Sequence, residues 1–380
     1  MKMWPVFLKS LREQLRDPLA LSLTLIFAPL FVLLYSALFQ GGSTSYGVLV
    51  LNQDERAAET TVVDMMKSVT YANGSPLLRV SLVASRAEGE ARLRNRDAAL
   101  LIIVPDGFMR AMEGIRAGRD AITTSITFVG DLTNPYYAVA AVMAGVPLDQ
   151  YVQTATGRPR PVELREEPLG ASAARSEFET YVPGLLVFAV IMLVFLAAMT
   201  VVHEVETGTL RRLQISRMTA LDYLGGVSAS LVVTGTLGVA LTFLAAVALG
   251  FRSQGPLWVA ILIGAVTSLS IVGVGLIVAC FARTVTQAFL IANFPLGLFM
   301  FFSGAVFPMP RVPLFTLAGR TVSLYDILPP THAVVALSKV MTMGAGFRDV
   351  AYELAALLIL SAAFFAVGVW LFKRKHLSAR

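Results

Sequence analysis

The sequence predicts an α-helical integral membrane protein with six transmembrane helices and an α/β domain inserted between helices 1 and 2. Composition is the first observation: 56% of the 380 residues are hydrophobic and 15% are charged, against roughly 25% charged in soluble domains. The second is a set of uncharged runs of about 20 residues or more, long enough to cross the hydrocarbon core of a bilayer. The third is residues 41–178, where charged residues become frequent and the long apolar runs stop.

Residues 1–17 have the periodicity of an amphipathic helix that lies at the membrane surface. The apolar face carries Trp4, Leu8, Leu11 and Leu15, and the charged face carries Lys9, Arg12, Glu13 and Arg16. A charged flank of the next segment is the alternative. Residues 18–40 are the first predicted span. Their apolar stretch exceeds the roughly 7–15 residues of a signal-peptide core, so a span is favoured over a cleaved signal.

Residues 41–178 alternate between strand and helix patterns. Strands are predicted where β-branched residues are frequent, at Tyr46–Leu51, Leu77–Val83, Ala99–Val104 and Ile122–Val129. Helices are predicted at Glu55–Ser68, Arg86–Arg96, Asp106–Ala117 and Asn134–Gln153, with Asp106 as an N-cap. This alternation predicts a small α/β domain with a partly parallel sheet. A proline-rich linker, Gly157–Pro168, follows.

Residues 179–380 are predicted to hold the other five helices, at Tyr181–Val202, Tyr223–Phe251, Leu257–Phe281, Gln287–Phe307 and Tyr352–Phe372. Between them lie a charged loop, 203–222, and a segment rich in Pro, Gly and aromatic residues, 308–350. The latter is predicted to form short helices at, or re-entering, the membrane interface. Lys and Arg are concentrated in both termini and in loop 203–222, which the positive-inside rule places in the cytoplasm. We therefore expect a multi-pass protein of the cell (inner) membrane, with the α/β domain extracytoplasmic.

Several kinds of chemistry are missing from the sequence. No glycine is followed by lysine, so the chain lacks the phosphate-binding loop of common ATPases. His203, His332 and His376 lie far apart and no cluster has metal-ligand spacing, so no catalytic residue and no metal site is predicted. No basic patch with interleaved aromatic residues indicates a nucleic-acid partner. The spans almost lack ionisable side chains, which argues against transport driven by protons or sodium ions.

Loop 203–222 is the first functional candidate, because its dense charge lies between two predicted spans. Docking on a cytoplasmic partner is one interpretation, and a solvated turn that obeys the positive-inside rule is the other. Thr219 to Asp222 fits a capping box at the start of the next span. In the fifth span, Gln287 and Asn293 are interpreted as partners in helix–helix hydrogen bonds, with substrate contact as the alternative.

Two stretches resemble the permease subunits of ABC-2 type exporters. Glu204-Val205-Glu206-Thr207-Gly208-Thr209-Leu210 is similar to the E-x-E-x-G-T-L segment that follows the family's second span. Phe302–Pro308, with Leu328–Ala333, resembles the F-x-S-G-x-x-F-P … L-P-x-T-H segment after the fifth span. Arg16-Asp17-Pro18 also fits, and Pro105–Phe108 is similar to the P-x-G-F of members with a long extracytoplasmic loop.

The resemblance implies a permease subunit that is not an enzyme and binds no cofactor itself. A separate ABC ATPase, expected in two copies, would bind ATP and Mg. The permease would form a homodimer, or a heterodimer with a related permease, among membrane lipids, and an extracytoplasmic accessory protein is a further candidate partner. The coupling segment at the ATPase interface corresponds to Glu204, Glu206, Gly208, Thr209, Leu210, Arg211, Arg212 and Leu213. The connecting helix corresponds to Trp4, Leu8, Leu11, Arg12 and Arg16, and the outer gate to Ser303, Gly304, Phe307, Pro308, Pro329 and His332.

Some positions depart from the family pattern. Arg211 stands where the family often has Glu, and Ser216-Arg217-Met218 where it often has Pro, so the charge match to the ATPase differs. The aromatic second and fifth spans suit an amphiphilic, drug-like or lipid-like cargo, with a candidate path at Phe188, Phe195, Asn293, Phe294 and Phe301. Packing or lipid contact is the alternative for these rings. The competing functions are ABC-linked mechanotransmission through the extracytoplasmic domain without transport, and a membrane-embedded enzyme or receptor.

Overall fold

A computed structural model describes residues 3–39, 45–54, 63–64, 66–71, 74–117, 124–132, 134–157, 177–210, 218–306, 312–317 and 320–377. The chain divides into two compact units, which are described separately. One unit joins residues 1–40 to residues 168–380, and the other comprises residues 41–167. The second unit thus ends before residue 178, where the sequence placed its boundary.

The unit of residues 41–167 is built on a four-stranded sheet with the order β2-β1-β3-β4. Strand β1 (Tyr46–Asn52) pairs in parallel with β2 (Leu78–Leu82) and with β3 (Leu100–Val104). Strand β4 (Thr127–Val129) pairs with β3 in the antiparallel sense. The two central strands are nearly continuous runs of buried apolar residues, as expected for parallel strands covered on both faces. The partly parallel sheet is therefore as predicted, although β4 is shorter than Ile122–Val129.

Three helices of this unit are described: α3 (Arg86–Arg94), α4 (Phe108–Arg116) and α5 (Pro135–Thr156). Most of the predicted helix Glu55–Ser68 lies outside the described residues. The predicted N-cap at Asp106 is wrong, because Gly107 occupies that position with a φ of 76°.

The first turn of α4 is capped from a distance. The buried carboxylate of Asp54, just after β1, accepts a hydrogen bond of 2.8 Å from the backbone N–H of Met109. Since this carboxylate already satisfies a free N–H group, the helix can begin without a local side-chain cap.

The other unit is mostly helical. Its helices are α1 (Met3–Arg16), α2 (Pro18–Phe39), α6 (Glu177–Ile191), α7 (Leu193–Glu206), α8 (Ala220–Ala248), α9 (Leu257–Ala279), α10 (Val285–Phe302), α11 (Pro329–Met343) and α12 (Ala351–Phe372). A turn at Met192 separates α6 from α7, and the two continue as one apolar rod.

Among the described residues, five helices are long and apolar enough to cross a membrane: Phe178–Glu206, Ala220–Ala248, Leu257–Ala279, Val285–Phe302 and Phe347–Lys375. Helix α2 has 22 residues, of which Thr24–Ala37 form a shorter apolar stretch. The rod α6–α7 is the centre of the unit, since 89% of the residues in its most apolar stretch are buried. For α10 the corresponding share is 17%. Helix α10 therefore presents an open apolar face.

The segment after α10 contains both strands and helices. Strands β5 (Pro313–Leu317) and β6 (Arg320–Ser323) form an antiparallel hairpin that the sequence analysis did not predict. A 3₁₀ turn at Leu324–Ile327 then leads into α11, and a second at Phe347–Val350 leads into α12. The short helices expected between residues 308 and 350 correspond mainly to α11.

Candidate coupling and substrate sites

Helix α1 is attached to α8 by a stripe of small polar side chains. The amide of Gln14 donates a hydrogen bond of 3.0 Å to Ser230 Oγ, and Ser230 Oγ donates one of 2.7 Å to Ser10 Oγ. The hydroxyl of Thr234 donates to Gln14 Oε1 at 2.6 Å. All four side chains are buried. The helix thus docks on α8 through these hydrogen bonds and through the buried Val6, rather than through the predicted apolar face.

The apolar face of α1 points away from the rest of the unit. Trp4 is 62% exposed and Leu15 is 65% exposed. Leu8 and Leu11 are half-buried, and Arg12 and Arg16, like most of the charged face, are exposed. A helix that lies at the membrane surface is expected to present an apolar face to lipid. The polar stripe of α1, in contrast, finds its hydrogen-bond partners on α8.

The end of α7 is tied to α1 by an ion pair. Lys9 Nζ contacts Glu204 Oε1 and lies 3.3 Å from Glu13 Oε1. The Glu204 side chain is only 7% exposed, whereas that of Lys9 is 43% exposed. Burial lowers the pKa of Lys9, but the hydrogen bonds and charges of Glu204 and Glu13 outweigh it, so that the pKa lies above its usual value. Lys9 therefore stays charged and holds the predicted coupling segment to α1.

The second glutamate of the segment binds a different helix. Glu206 Oε2 accepts a hydrogen bond of 2.9 Å from the backbone N–H of Val285, the first residue of α10. Thr284 caps the same helix by accepting from Gln287 N, and Gln287 Oε1 accepts from Arg283 N. Gln287 is thus a capping residue rather than a partner in helix–helix contact. A carboxylate at a helix N-terminus also interacts favourably with the helix dipole.

The chain turns sharply after α7. Gly208 has a φ of 71°, a left-handed conformation that favours glycine. The next residues, Thr209 and Leu210, begin a helical turn, in which Leu210 is 6% exposed and belongs to the main apolar core. The predicted coupling residues Arg211, Arg212 and Leu213 lie outside the described residues. Beyond them, the capping box predicted at Thr219 and Asp222 is confirmed.

A cavity of about 420 Å³ lies between α2, α6–α7 and α10. Its lining is almost entirely apolar and aromatic, and consists of Thr24, Phe27, Phe31, Tyr35, Tyr181, Leu185, Phe188, Met192, Phe195, Phe289, Leu296, Met300, Ala305 and Val306. Its volume is in the range of small-molecule sites. Two residues of the candidate path, Phe188 and Phe195, line it.

The other three residues of the candidate path lie elsewhere. Phe294 is 73% exposed and Phe301 is 52% exposed, on the side of α10 away from the cavity. The Asn293 amide donates a hydrogen bond of 2.8 Å to Phe289 O within its own helix. Asn293, Phe294 and Phe301 do not line this cavity, because the rotation of α10 turns Phe289, Leu296 and Met300 towards it instead.

Helix α2, the first predicted span, contributes four residues to the cavity that the sequence analysis did not include in the candidate path. Phe31 lies near Phe188, with ring centroids 5.4 Å apart, and Tyr35 lies 5.4 Å from Tyr181. Thr24, Phe27, Phe31 and Tyr35 follow one another at intervals of three and four residues. That spacing is the signal of a shared helix face, which could have identified them.

The predicted outer-gate residues at the C-terminal end of α10 lie in a turn that is held by a hydrogen bond and packs closely against α6. The buried Ser303 ends the helix, and its Oγ accepts a hydrogen bond from Ala305 N at 3.2 Å. Gly304 has a φ of 81°. Gly184 of α6 allows the Ala305 carbonyl to approach, since a Cβ there would collide with it. Phe307 and Pro308 lie outside the described residues.

The remaining gate residues organise the start of α11. Pro329 occupies the first turn, where the missing N–H costs nothing. The ring nitrogen Nε2 of His332 lies 2.8 Å from Asp326 O, and His332 is only 6% exposed. His332 therefore fixes the preceding 3₁₀ turn. Within the described part of the chain, no three His, Cys, Asp or Glu side chains come together as metal ligands.

Comparison with known proteins agrees with this architecture. The family model described as "ABC-2 family transporter protein" matches residues 19–370. The probable multidrug ABC transporter permease YbhR of Escherichia coli (strain K12) is 21% identical over 385 residues, covering 98% of this chain and 99% of the relative. The protein of the same name in Escherichia coli O157:H7 matches equally. Because the family model covers nearly the whole chain, the protein is a member of the ABC-2 transporter family and a membrane subunit of such a transporter.

Proposed function

We propose that this chain is the transmembrane subunit of an ATP-driven exporter that moves an amphiphilic, drug-like or lipid-like substrate outward. Membership of the family implies association with an ABC ATPase subunit. We further propose that the ATPase binds ATP and Mg, and that this chain binds no cofactor. The E. coli relative is described as a probable multidrug ABC transporter permease, and that description supports this substrate class.

The observation that carries the proposal is the short route from the coupling segment to the aromatic cavity. Glu206 holds the first residue of α10, Val285. One helical turn later, Phe289 of the same helix lines the cavity and stacks on Phe195, with ring centroids 5.0 Å apart. A displacement of the coupling segment would therefore move a wall of the cavity directly.

The two glutamates would give this displacement its direction. Glu204 is fixed to α1 through Lys9, so α1 would move with the segment or resist it at the membrane surface. Glu206 would transmit the motion to α10 through its bond to Val285. Coupling between the ATPase and the cavity requires a structural element that has two arrangements and responds to both sites. The start of α10 is our candidate for this element.

The proposed topology counts α2 as a sixth span. Both termini and loop 203–222 then lie in the cytoplasm, and residues 41–167 and 308–350 lie outside. Two copies of the chain, or this chain and a related permease, would associate with two ATPase subunits. The open apolar face of α10 is a candidate for contact between permeases.

A second candidate function is mechanotransmission, in which nothing crosses the membrane. It is favoured by the separate compact unit of residues 41–167, whose described residues form buried apolar clusters of their own around β1 and β3. In that case the aromatic cavity would be filled by lipid and would not discriminate between solutes.

Reconstitution tests the proposal. The permease is co-expressed with the ATPase encoded nearest to it, co-purified through a tag on the permease, and placed in proteoliposomes with outward-facing ATPase subunits. A lipophilic fluorescent dye should accumulate inside when ATP and Mg are added, and not with an ATPase variant that cannot hydrolyse ATP. Co-purification without any ATP-dependent uptake, across dyes of varied chemistry, would favour mechanotransmission. Absence of a co-purified ATPase would refute both functions.

A further inference from the structure

A second cavity, of about 260 Å³, lies beside the aromatic one on the side of the coupling segment. Two helices, α7 and α10, line both cavities. On α7, Phe195 lines the aromatic cavity, and Leu196 and Met199 line the second. On α10, Phe289 lines the first and Val285, one turn earlier, lines the second. The two cavities therefore follow one another along α7 and α10, and together they are called the groove.

The second cavity differs from the first in its charge. Three carboxylates line it, those of Glu13, Asp17 and Glu204, together with one permanent cation, Arg16. His203 and Thr200 are also on its wall. Lys9, which binds Glu204 and Glu13, is not part of this lining. The carboxylates therefore outnumber the cations on the wall.

One of these carboxylates is incompletely satisfied. Glu204 Oε1 contacts Lys9, but Glu204 Oε2 is buried and has no hydrogen-bond partner among the described residues. The Glu204 side chain is 93% buried, as its exposed fraction is 7%. A buried carboxylate oxygen without a partner is costly, and a cation or a donor brought near it lowers that cost. Because Glu204 lies on the wall of the second cavity, a positively charged group bound there would lower this cost.

We propose that the second cavity binds the cationic head group of an amphiphilic substrate whose apolar body occupies the aromatic cavity. This inference rests on the proposed export function and specifies its substrate class: lipophilic amines and quaternary ammonium compounds. A single groove with aromatic rings at one end and carboxylates at the other matches such a molecule along its length.

An anionic head group fits this wall less well. It would lie against three carboxylates and gain only Arg16, whose exposed side chain can turn to solvent. A neutral head group would leave Glu204 Oε2 without a charged partner. Glu13 and Asp17 are exposed, so their attraction for a cation is screened, and the selectivity should be moderate rather than absolute.

Two matched probes test the charge preference. One is a 6-phenylhexyl-trimethylammonium salt, and the other is its neutral isostere with a tert-butyl group in place of the trimethylammonium. Binding to the full complex with its ATPase is measured in lipid nanodiscs, and partition into empty nanodiscs is subtracted. The cation is expected to bind about tenfold more tightly than the isostere.

Three variants locate the preference. Asp17→Asn and Glu13→Gln each keep the side-chain shape and should weaken binding of the cation about threefold, with no change for the isostere. Arg16→Gln removes the cation of the wall and should strengthen binding of the same probe by a similar factor. Opposite signs from neighbouring positions would not arise from general loss of folding.

The outcomes separate the inference from the proposed function. Equal binding of both probes, or a charge preference of unchanged size in all three variants, overturns the cationic head-group site but leaves the export function standing. Failure of both probes to bind the complex or to alter its ATPase rate overturns the assignment of the groove as a substrate site, and the head-group site with it.

Discussion

The carboxylate of Glu206 accepts a hydrogen bond of 2.9 Å from the backbone N–H of Val285, 79 residues further along the chain. The bond joins the end of α7 to the start of α10. Glu204, two residues earlier, faces α1 instead. The E-x-E pattern therefore places two carboxylates on two different neighbours of the coupling segment, which gives each glutamate a separate testable role.

Replacing Glu206 with Ala should uncouple ATP hydrolysis from transport. The change removes an acceptor at the start of α10, and loss of a helix cap typically costs about 1 kcal/mol. We expect the number of substrate molecules moved per ATP to fall about fivefold, with membrane insertion unchanged. Glu206→Gln keeps an acceptor oxygen and should retain most of the coupling. The ratio is measured in proteoliposomes.

A matched control exists in the other unit. Glu88 Oε2 accepts a hydrogen bond from the backbone N–H of Ala84 at the start of α3, so Glu88→Ala also removes a capping carboxylate. Coupling should be normal in that variant. If Glu206→Ala transports with normal stoichiometry, the route from the coupling segment to α10 is not the one used.

The two partners of the Lys9–Glu204 pair should differ in their cost. Lys9→Met leaves a carboxylate that is only 7% exposed without its cation, whereas Glu204→Gln leaves a lysine that is 43% exposed and can still reach Glu13. We expect about 1–2 kcal/mol for Lys9→Met, reduced from fully buried values by solvent screening, and less for Glu204→Gln. Thermal unfolding of the single and double variants measures both. Equal costs for the two single variants would contradict this asymmetry.

The stabilisation that the Lys9–Glu204 pair provides should not change as the pH rises from neutral. The pKa of Lys9 is raised above its ordinary value of 10.5. A group with a raised pKa contributes its full stability below the ordinary value and loses it only as pH rises through the folded-state value. The difference in unfolding midpoint between the unmodified protein and Lys9→Met should therefore stay constant from neutral pH to about pH 9. A difference that already shrinks in that range would show that another group controls the attachment of α1.

Local signals in the sequence predicted much of the fold. The β-branched runs mark β1 to β3, and Thr219 with Asp222 marks the start of α8, because these patterns act within a few residues. The predicted N-cap of α4 is wrong because the group that caps this helix is distant in the sequence. Its acceptor, Asp54, is 55 residues away from Met109, so no local pattern could reveal it.

The candidate sites required tertiary information. The polarity of Ser10 and Gln14 suggests that they face water. In the structure they face α8 and form hydrogen bonds with its polar side chains. Aromatic spacing marks a face on each span without saying whether it meets lipid or another helix. The rotation of α10 places Phe289 rather than Phe294 on the wall of the cavity, and the sequence of that helix alone does not reveal the rotation.

Adjacent glycines on α8 should respond differently to the same change. A Cβ atom at Gly226 would lie 2.7 Å from Val6 Cβ and 2.8 Å from Met3 O, so α1 would have to shift. At Gly225 it would meet only the end of the flexible Met3 side chain. We expect Gly226→Ala to destabilise the attachment of α1 by about 1–3 kcal/mol and Gly225→Ala to have little effect. Protease accessibility of α1 and the unfolding midpoint report the difference. Equal effects of the two variants would mean that α1 does not rest on α8 as described.

Two phenylalanines on α10 offer the sharpest test of the aromatic cavity. Phe289 lines the cavity and stacks on Phe195, whereas Phe294 is 73% exposed on the other face of the helix. Phe289→Ala removes an aromatic contact worth about 0.5–1.5 kcal/mol. The affinity for an aromatic substrate should therefore fall about two- to tenfold.

Phe294→Ala should leave that affinity unchanged and instead weaken association between permeases, because Phe294 lies on the open apolar face of α10. Substrate binding in nanodiscs and the mass of the solubilised complex measure the two effects separately. If Phe294→Ala lowers substrate affinity while Phe289→Ala does not, the substrate path follows the exposed face of α10, and the cavity between α2, α6–α7 and α10 is only a packing feature.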